Sequence, residues 1–235
     1  MITLYKHEWK TYFITSIGYI FLAVFLALSG FIFVVNNLIS RTSDLRGFFF
    51  MSSYVWLLES PVPVMRLMAG ERRRGTDRIL HASPVSVTQA LVAKYLAALS
   101  LSLLALVLSL IFPLVVQIYG GVHWPEVWMG YIGLFGYFAA HLALNLLVSS
   151  FAQSPAAAFT LSLGANFLLR LFAGLSAQGT SLINRIASLV DFDSRLTPFI
   201  YGQWSPASFV YFLCFAVLCV SLTVLLLGLS RRRRA

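Results

Sequence analysis

The chain has 235 residues, of which 59% are hydrophobic and only 11% are charged. A typical soluble domain has roughly 25% charged residues, and it could not bury so much apolar surface. A mean hydropathy of +0.84 also indicates a membrane protein. The composition therefore excludes an ordinary soluble fold and predicts an all-α membrane protein.

The net charge of +9 raises the question of nucleic-acid binding. The basic residues, however, occur in short clusters between long apolar runs, which is typical of membrane topology signals. No aromatic residues alternate with them to form a base-stacking surface. We therefore expect contact with membrane lipid and no nucleic-acid partner. The two cysteines, Cys214 and Cys219, lie in one apolar run without metal-ligand spacing, so no metal site is expected.

Six segments are apolar and long enough to cross a bilayer, which requires about 20 residues. In a single transmembrane domain, we predict spans at 12–36, 48–69, 88–117, 128–151, 155–176 and 206–230. Residues 1–11 alternate apolar and basic side chains, which predicts an amphipathic helix on the membrane surface. Residues 177–204 have helical spacing but are too broken to span, so they predict short helices before the last span.

The distribution of basic residues predicts the orientation. With a cytoplasmic N-terminus, 12 of the 17 Lys and Arg residues lie inside, 4 lie outside, and Arg170 lies within a span. Cytoplasmic loops carry such an excess of positive charge. Both termini are therefore predicted to be cytoplasmic, and the short helices at 177–204 extracellular.

The predicted cytoplasmic loop at 70–84 is the most distinctive segment. It begins with a cluster of arginines, continues through Ile79 and Leu80, and ends at Pro84. A short helix of this kind can bind in a groove of a cytoplasmic partner while its arginines make charge-assisted contacts. A plain basic loop that lies on anionic lipid is the alternative that the composition leaves open.

This loop resembles the E-x-R-x-G-T-x-x-x-L-x-x-x-P-[VI]-S signature, followed by a Gly-Lys pair, of ABC-2 type transporter permeases. The matching residues are Glu71, Arg73, Gly75, Thr76, Leu80, Pro84, Val85, Ser86 and Lys94. Pro61, Met65 and Arg66 also resemble the end of the second span in the gliding-motility (Gld-type) branch. Two positions differ: Ala93 replaces the glycine before the lysine, and Arg78 replaces an acidic residue. The ion pairs of the family's loop therefore cannot be transferred to this chain.

The resemblance implies the permease subunit of an exporter. Two six-helix subunits, as a homodimer or a heterodimer, would work with two copies of a separate ABC ATPase, and residues 70–84 would be the coupling helix. The residues assigned to that contact are Glu71, Arg72, Arg73, Gly75, Thr76, Arg78, Ile79 and Leu80. The chain contains no G-x-x-x-x-G-K-[ST] phosphate-binding loop. We therefore expect the partner to bind ATP and Mg, this chain to bind no cofactor, and the complex to lie in a bacterial plasma (inner) membrane.

Two ionisable residues lie inside predicted spans, where such residues are energetically unfavourable and commonly functional. Glu59 lies near the middle of the second span, and Arg170 lies in the outer half of the fifth. We predict that both line the translocation pathway and pair across a subunit or the dimer axis in at least one state. Snorkelling to the headgroups is the alternative for Arg170. Pro61 and Pro63 predict a kink that acts as a hinge.

Two other functions stay open at this point. A mechanotransmission subunit would couple ATP hydrolysis to an external partner without moving substrate, and reconstituted transport would distinguish it. An intramembrane enzyme would need a nucleophile and a base at matching depth, but no motif surrounds Ser162 or His141. We therefore predict no catalytic residue in this chain.

Overall fold

The computed structural model describes residues 2–65, 87–176 and 191–232. Its helices, in chain order, are α1 (Ile2–Ile14), α2 (Ile17–Phe33), α3 (Arg46–Glu59), α4 (Pro61–Met65), α5 (Val87–Ser109), α6 (Ile111–Tyr119), α7 (Trp124–Ser149), α8 (Pro155–Ser176), α9 (Phe192–Ile200) and α10 (Pro206–Arg232). A π-helical segment, Val34–Ile39, continues α2. No strand occurs in these three ranges, and the prediction of an all-α membrane protein is confirmed.

Five helical stretches in the described ranges are long and apolar enough to cross a membrane: Ile17–Ile39, Thr88–Tyr119, Trp124–Ser149, Pro155–Phe172 and Pro206–Gly228. They correspond to the first, third, fourth, fifth and sixth predicted spans. The segment predicted as the second span has a different form, because it is divided at Ser60 into α3 and α4, of 14 and 5 residues. A total of six spans therefore stays a prediction.

Successive long helices run in opposite directions, so the bundle has two ends. The α1 end carries residue 65, residue 87 and the connection between α7 and α8. The α9 end carries the connections at 40–45 and 120–123, together with α9 itself. Which end faces the cytoplasm stays a prediction from the distribution of basic residues.

Helix α7 is the centre of the bundle, and 72% of its most apolar window is buried. Small residues explain this position, because helices in lipid associate mainly through close van der Waals contact. Gly130, Gly133 and Gly136 face the aromatic rings of Phe49, Phe199 and Phe212, respectively. These three contacts bring α3, α9 and α10 against α7.

Helix α1 packs against α5 at the α1 end of the bundle. Lys6, His7 and Lys10 lie on its exposed side, and Tyr12 is buried. The Tyr12 hydroxyl donates a hydrogen bond of 2.8 Å to the backbone carbonyl of Pro63. Helix α1 is therefore attached directly to α4.

Candidate functional site

The break between α3 and α4 follows from two prolines. Pro61 and Pro63 have no N–H group, so the carbonyls of Leu57 and Glu59 lose their usual helical donors. The side-chain amide of Asn166, on α8, donates to the Leu57 carbonyl at 3.1 Å and replaces one missing bond. The predicted kink is thus observed as a break at Ser60, whereas its action as a hinge stays a prediction.

Ser60 joins three helices at this break. Its hydroxyl oxygen accepts a hydrogen bond from Asn145 Nδ2 of α7 at 2.8 Å and from Asn166 Nδ2 of α8 at 3.0 Å. All three side chains are fully buried. The Oδ1 atoms of both asparagines have no hydrogen-bond partner within the described ranges. The break is therefore a polar junction with unused acceptors.

Glu59 lies directly beside this junction, at the last position of α3. Its side chain is only 6% exposed. Neither carboxylate oxygen has a hydrogen-bond partner among the residues that the structure describes. Such a group is unfavourable in a bilayer unless it becomes neutral, pairs or meets water. Glu59 is thus a buried carboxyl group without a hydrogen-bond partner in the described part of its own chain, and its place in a translocation pathway stays a prediction.

Arg170, on α8, forms a partly buried ion pair with a residue of α9. Its Nη2 atom lies 3.2 Å from Oδ2 of Asp193 on α9. Its Nη1 atom donates to the Tyr137 hydroxyl at 3.4 Å. The guanidinium also lies over the ring of Tyr54, 3.3 Å from the ring centroid, which is a cation–π contact. Within the chain, Arg170 therefore pairs with Asp193 rather than with Glu59, so the pairing of Glu59 with Arg170 across subunits stays a prediction.

The position of Asp193 follows from the local structure of α9. Asp191 caps this helix, because its Oδ1 accepts a hydrogen bond from the Ser194 amide at 3.0 Å. The helix is held against α7 by Phe199, which covers Gly133. Asp193, in the first turn, then faces Arg170 and approaches the Tyr137 hydroxyl at 3.5 Å. Burial raises the pKa of Asp193, and the charge of Arg170 offsets part of that rise.

A cavity of about 10 Å³ lies between the ion pair and the helix break, and His141, Asn166, Arg170 and Asp193 contribute to its wall. This is about the volume that one water molecule needs. The Nδ1 atom of His141 is hydrogen-bonded to the Tyr137 carbonyl at 3.0 Å, within its own helix. The ion pair of Arg170 with Asp193 and the polar junction at Ser60 are thus separated by the space of a single water molecule.

Sequence reasoning missed Ser60, Asn166, Tyr54, Tyr137 and Asp193. Two patterns could have revealed several of them. Polar residues recur at every fourth position on α7 (Tyr137, His141, Asn145, Ser149) and on α8 (Ser162, Asn166, Arg170). Residues four apart share one helix face, so these patterns indicate two polar stripes that can pack together.

The residues predicted for the ATPase contact, 71–80, lie outside the described ranges. Pro61 and Pro63 are both buried in the first turn of α4. Within the described ranges, no group of three or more His, Cys, Asp or Glu side chains is arranged to hold a metal ion.

A bundle of long apolar helices with a partly buried ion pair between them defines a multi-pass membrane protein. Residues 65–227 match the family described as ABC-2 family transporter protein, and the chain belongs to that family. It is therefore a membrane component of the ABC transporter class. No curated protein and no solved structure matches the chain significantly. The Gld-type branch stays a resemblance.

Proposed function

We propose that this chain is the permease subunit of an ABC exporter that is driven by a separate ATPase. Family membership is the observation that carries the proposal. Members of this family are membrane components rather than the ATPase itself, and they typically work with an ABC ATPase. In this proposal, two permease subunits and two ATPase subunits form the complex, and the ATPases bind ATP and Mg.

The proposed orientation places the α1 end in the cytoplasm and the α9 end outside, with six spans. The 12 basic residues on the cytoplasmic side, against 4 outside, support it. The loop 70–84 then lies on the side where an ATPase is available.

The proposed coupling begins at that loop. Because the loop connects α4 with α5, a push from the ATPase would act directly on α4. Helix α4 meets α3 at a break that has lost two backbone hydrogen bonds, and Pro61 and Pro63 are the proposed hinge residues. Bending there would tilt α4 relative to α3, and the two halves of the complex would rock to give alternating access.

Glu59 and Arg170 are the proposed pathway residues. Glu59 is buried and Arg170 is partly buried, and both are ionisable groups within helices that belong to the bundle. Charged groups in membrane helices commonly face a cavity or a substrate route. Glu59 has no hydrogen-bond partner in the described part of the chain, which supports contact with water or substrate.

The decisive experiment is reconstitution with the ATPase. The purified chain alone should hydrolyse no ATP, and the complex should hydrolyse it. Replacing both Ile79 and Leu80 with Asp would put charge into a contact that should be apolar, so assembly or coupled hydrolysis should fail while membrane insertion persists.

The matched control exchanges the same two residues, Ile79→Leu with Leu80→Ile, and should behave as the wild type. If the double aspartate variant still assembles and couples, the loop is only a topology signal. ATP hydrolysis by the pure chain would contradict the subunit assignment.

A further inference from the structure

The guanidinium of Arg170 is held firmly on one side. The Tyr54 ring lies 3.3 Å from its Cζ atom, and the Phe50 ring lies 5.9 Å away. A stacked arginine of this kind stays in place without an ion-pair partner, because the ring surface fixes the plane of the group. The rings of α3 thus hold the guanidinium in addition to its ion pair with α9.

The contacts on its other side are incomplete. Nη2 lies 3.2 Å from Asp193 Oδ2, but it makes no hydrogen bond among the described residues. The Nη1 bond to Tyr137 is long, at 3.4 Å. An arginine presents a planar fork that fits phosphate or carboxylate through two parallel hydrogen bonds. Asp193 therefore neutralises Arg170 without using that fork fully.

Asp193 is also the more exposed partner, at 26% against 14% for the Arg170 side chain. Burial raises its pKa despite the nearby arginine, so its carboxylate is less stable there than in water. Its helix, α9, has only nine residues. Of the two side chains, that of Asp193 is therefore the more accessible to exchange, while α9 itself stays packed on α7 through Phe199.

An exposed apolar surface adjoins the arginine. Phe50 and Tyr54 of α3 are 39% and 40% exposed, and Phe167 of α8, one turn before Arg170, is 46% exposed. A ligand whose anionic group reaches Arg170 could lay an apolar chain on these rings. The surface matches an anionic amphiphile in both charge and polarity.

We propose that Arg170 binds the anionic headgroup of an amphiphilic substrate, and that Asp193 is an exchangeable counter-ion which the headgroup displaces. The headgroup is a phosphate, phosphonate or carboxylate on an apolar chain. That the bound amphiphile is a substrate rests on the proposed export function, whereas its binding to Arg170 needs no ATPase. Failure of the ATPase experiment and failure of this proposal are thus distinguishable.

The test uses the full chain in nanodiscs of phosphatidylcholine, and its readout is the thermal unfolding midpoint followed by tryptophan fluorescence. The probe is dodecyl phosphate, compared with dodecyl maltoside, dodecyl trimethylammonium and inorganic phosphate. Dodecyl phosphate should raise the midpoint of the wild type, and the other three compounds should not.

Asp193→Asn should lower the half-saturating concentration of dodecyl phosphate by about tenfold, because a competing contact of about 1.4 kcal/mol is removed. The double variant Arg170→Gln with Asp193→Asn leaves no unpaired charge and should lose the response. Arg195→Gln, also on α9, is the control, since Arg195 instead contacts the Tyr211 ring; its response should equal that of the wild type.

Four outcomes would overturn the proposal. An equal response in the double variant would mean that dodecyl phosphate acts through the bilayer. A weaker response in Asp193→Asn would mean that Asp193 is only structural. A response to inorganic phosphate alone would mean that the apolar chain is not recognised as proposed. A response to dodecyl maltoside would mean that the anionic headgroup is not recognised as proposed.

Discussion

The indole ring of Trp56 lies flat against the ring of Phe138, with centroids 3.7 Å apart and planes inclined by 5°. Both side chains are completely buried, and the contact fixes α3 on α7. Ser60, where the helix breaks, follows one turn later. The stack therefore fixes α3 on α7 immediately before the break.

Trp56→Ala should destabilise the bundle by about 3 kcal/mol, because it removes the stack and leaves a cavity. The measurement is the free energy of unfolding in mixed micelles. Trp128→Ala is the control: Trp128 is 50% exposed, and its loss should change the unfolding free energy by less than about 1 kcal/mol. Equal losses of unfolding free energy in the two variants would mean that the stack makes no particular contribution to stability.

Gly133→Ala should detach α9 from α7. A Cβ atom at position 133 would collide with Phe199, whereas one at Gly164 would meet no atom within 4 Å. Overpacking of this kind costs about 1–3 kcal/mol. Gly133→Ala should thus lower the unfolding midpoint, and Gly164→Ala should not. A tolerated Gly133→Ala would show that α9 is not tightly packed.

Ser60→Ala should weaken the junction of α3, α7 and α8. It removes the acceptor shared by Asn145 and Asn166. Because each side-chain hydrogen bond in a membrane contributes only about 0.6 kcal/mol on average, the expected loss is about 1–2 kcal/mol. Ser100→Ala, which removes only a bond within one helix, is the control and should be nearly neutral. The measurement is again the unfolding free energy.

A double-mutant cycle should detect the ion pair on α8 and α9. Arg170→Asp alone and Asp193→Arg alone each place like charges together, so each should destabilise. The exchanged double variant should recover part of that loss, and the coupling energy is measured from the four unfolding free energies. Exchange of Arg170 with Glu59 should recover less, since Asp193 would then face a glutamate. The opposite ranking would favour the pairing of Glu59 with Arg170.

Glu59→Gln tests the pathway separately from stability. The side chain has no hydrogen-bond partner in the described ranges, so a neutral residue of the same shape should preserve expression and unfolding free energy. Transport by the reconstituted complex should fall. Normal transport by the variant would remove Glu59 from the proposed pathway.

Most of the fold could be predicted from hydropathy, because apolar runs of sufficient length have few stable alternatives in a bilayer. The break at Ser60 could be anticipated only as a kink, since Pro61 and Pro63 do not indicate which side chains replace the missing donors. The ion pair was not predictable for a different reason. Asp193 lies 23 residues after Arg170 in sequence, and only the packing of Phe199 on Gly133 brings the two together.

The hydrogen bond from Tyr12 to the Pro63 carbonyl has a mechanical consequence. Helix α1, with Lys6 and Lys10 exposed, is suited to lie where lipid headgroups press on it. Any change in lateral pressure or bilayer thickness that shifts α1 pulls on α4, three residues from the break at Ser60. The lipid bilayer would therefore act on the same break as the ATPase. The rate of ATP turnover should vary with the acyl-chain length of the lipid at constant ATP concentration.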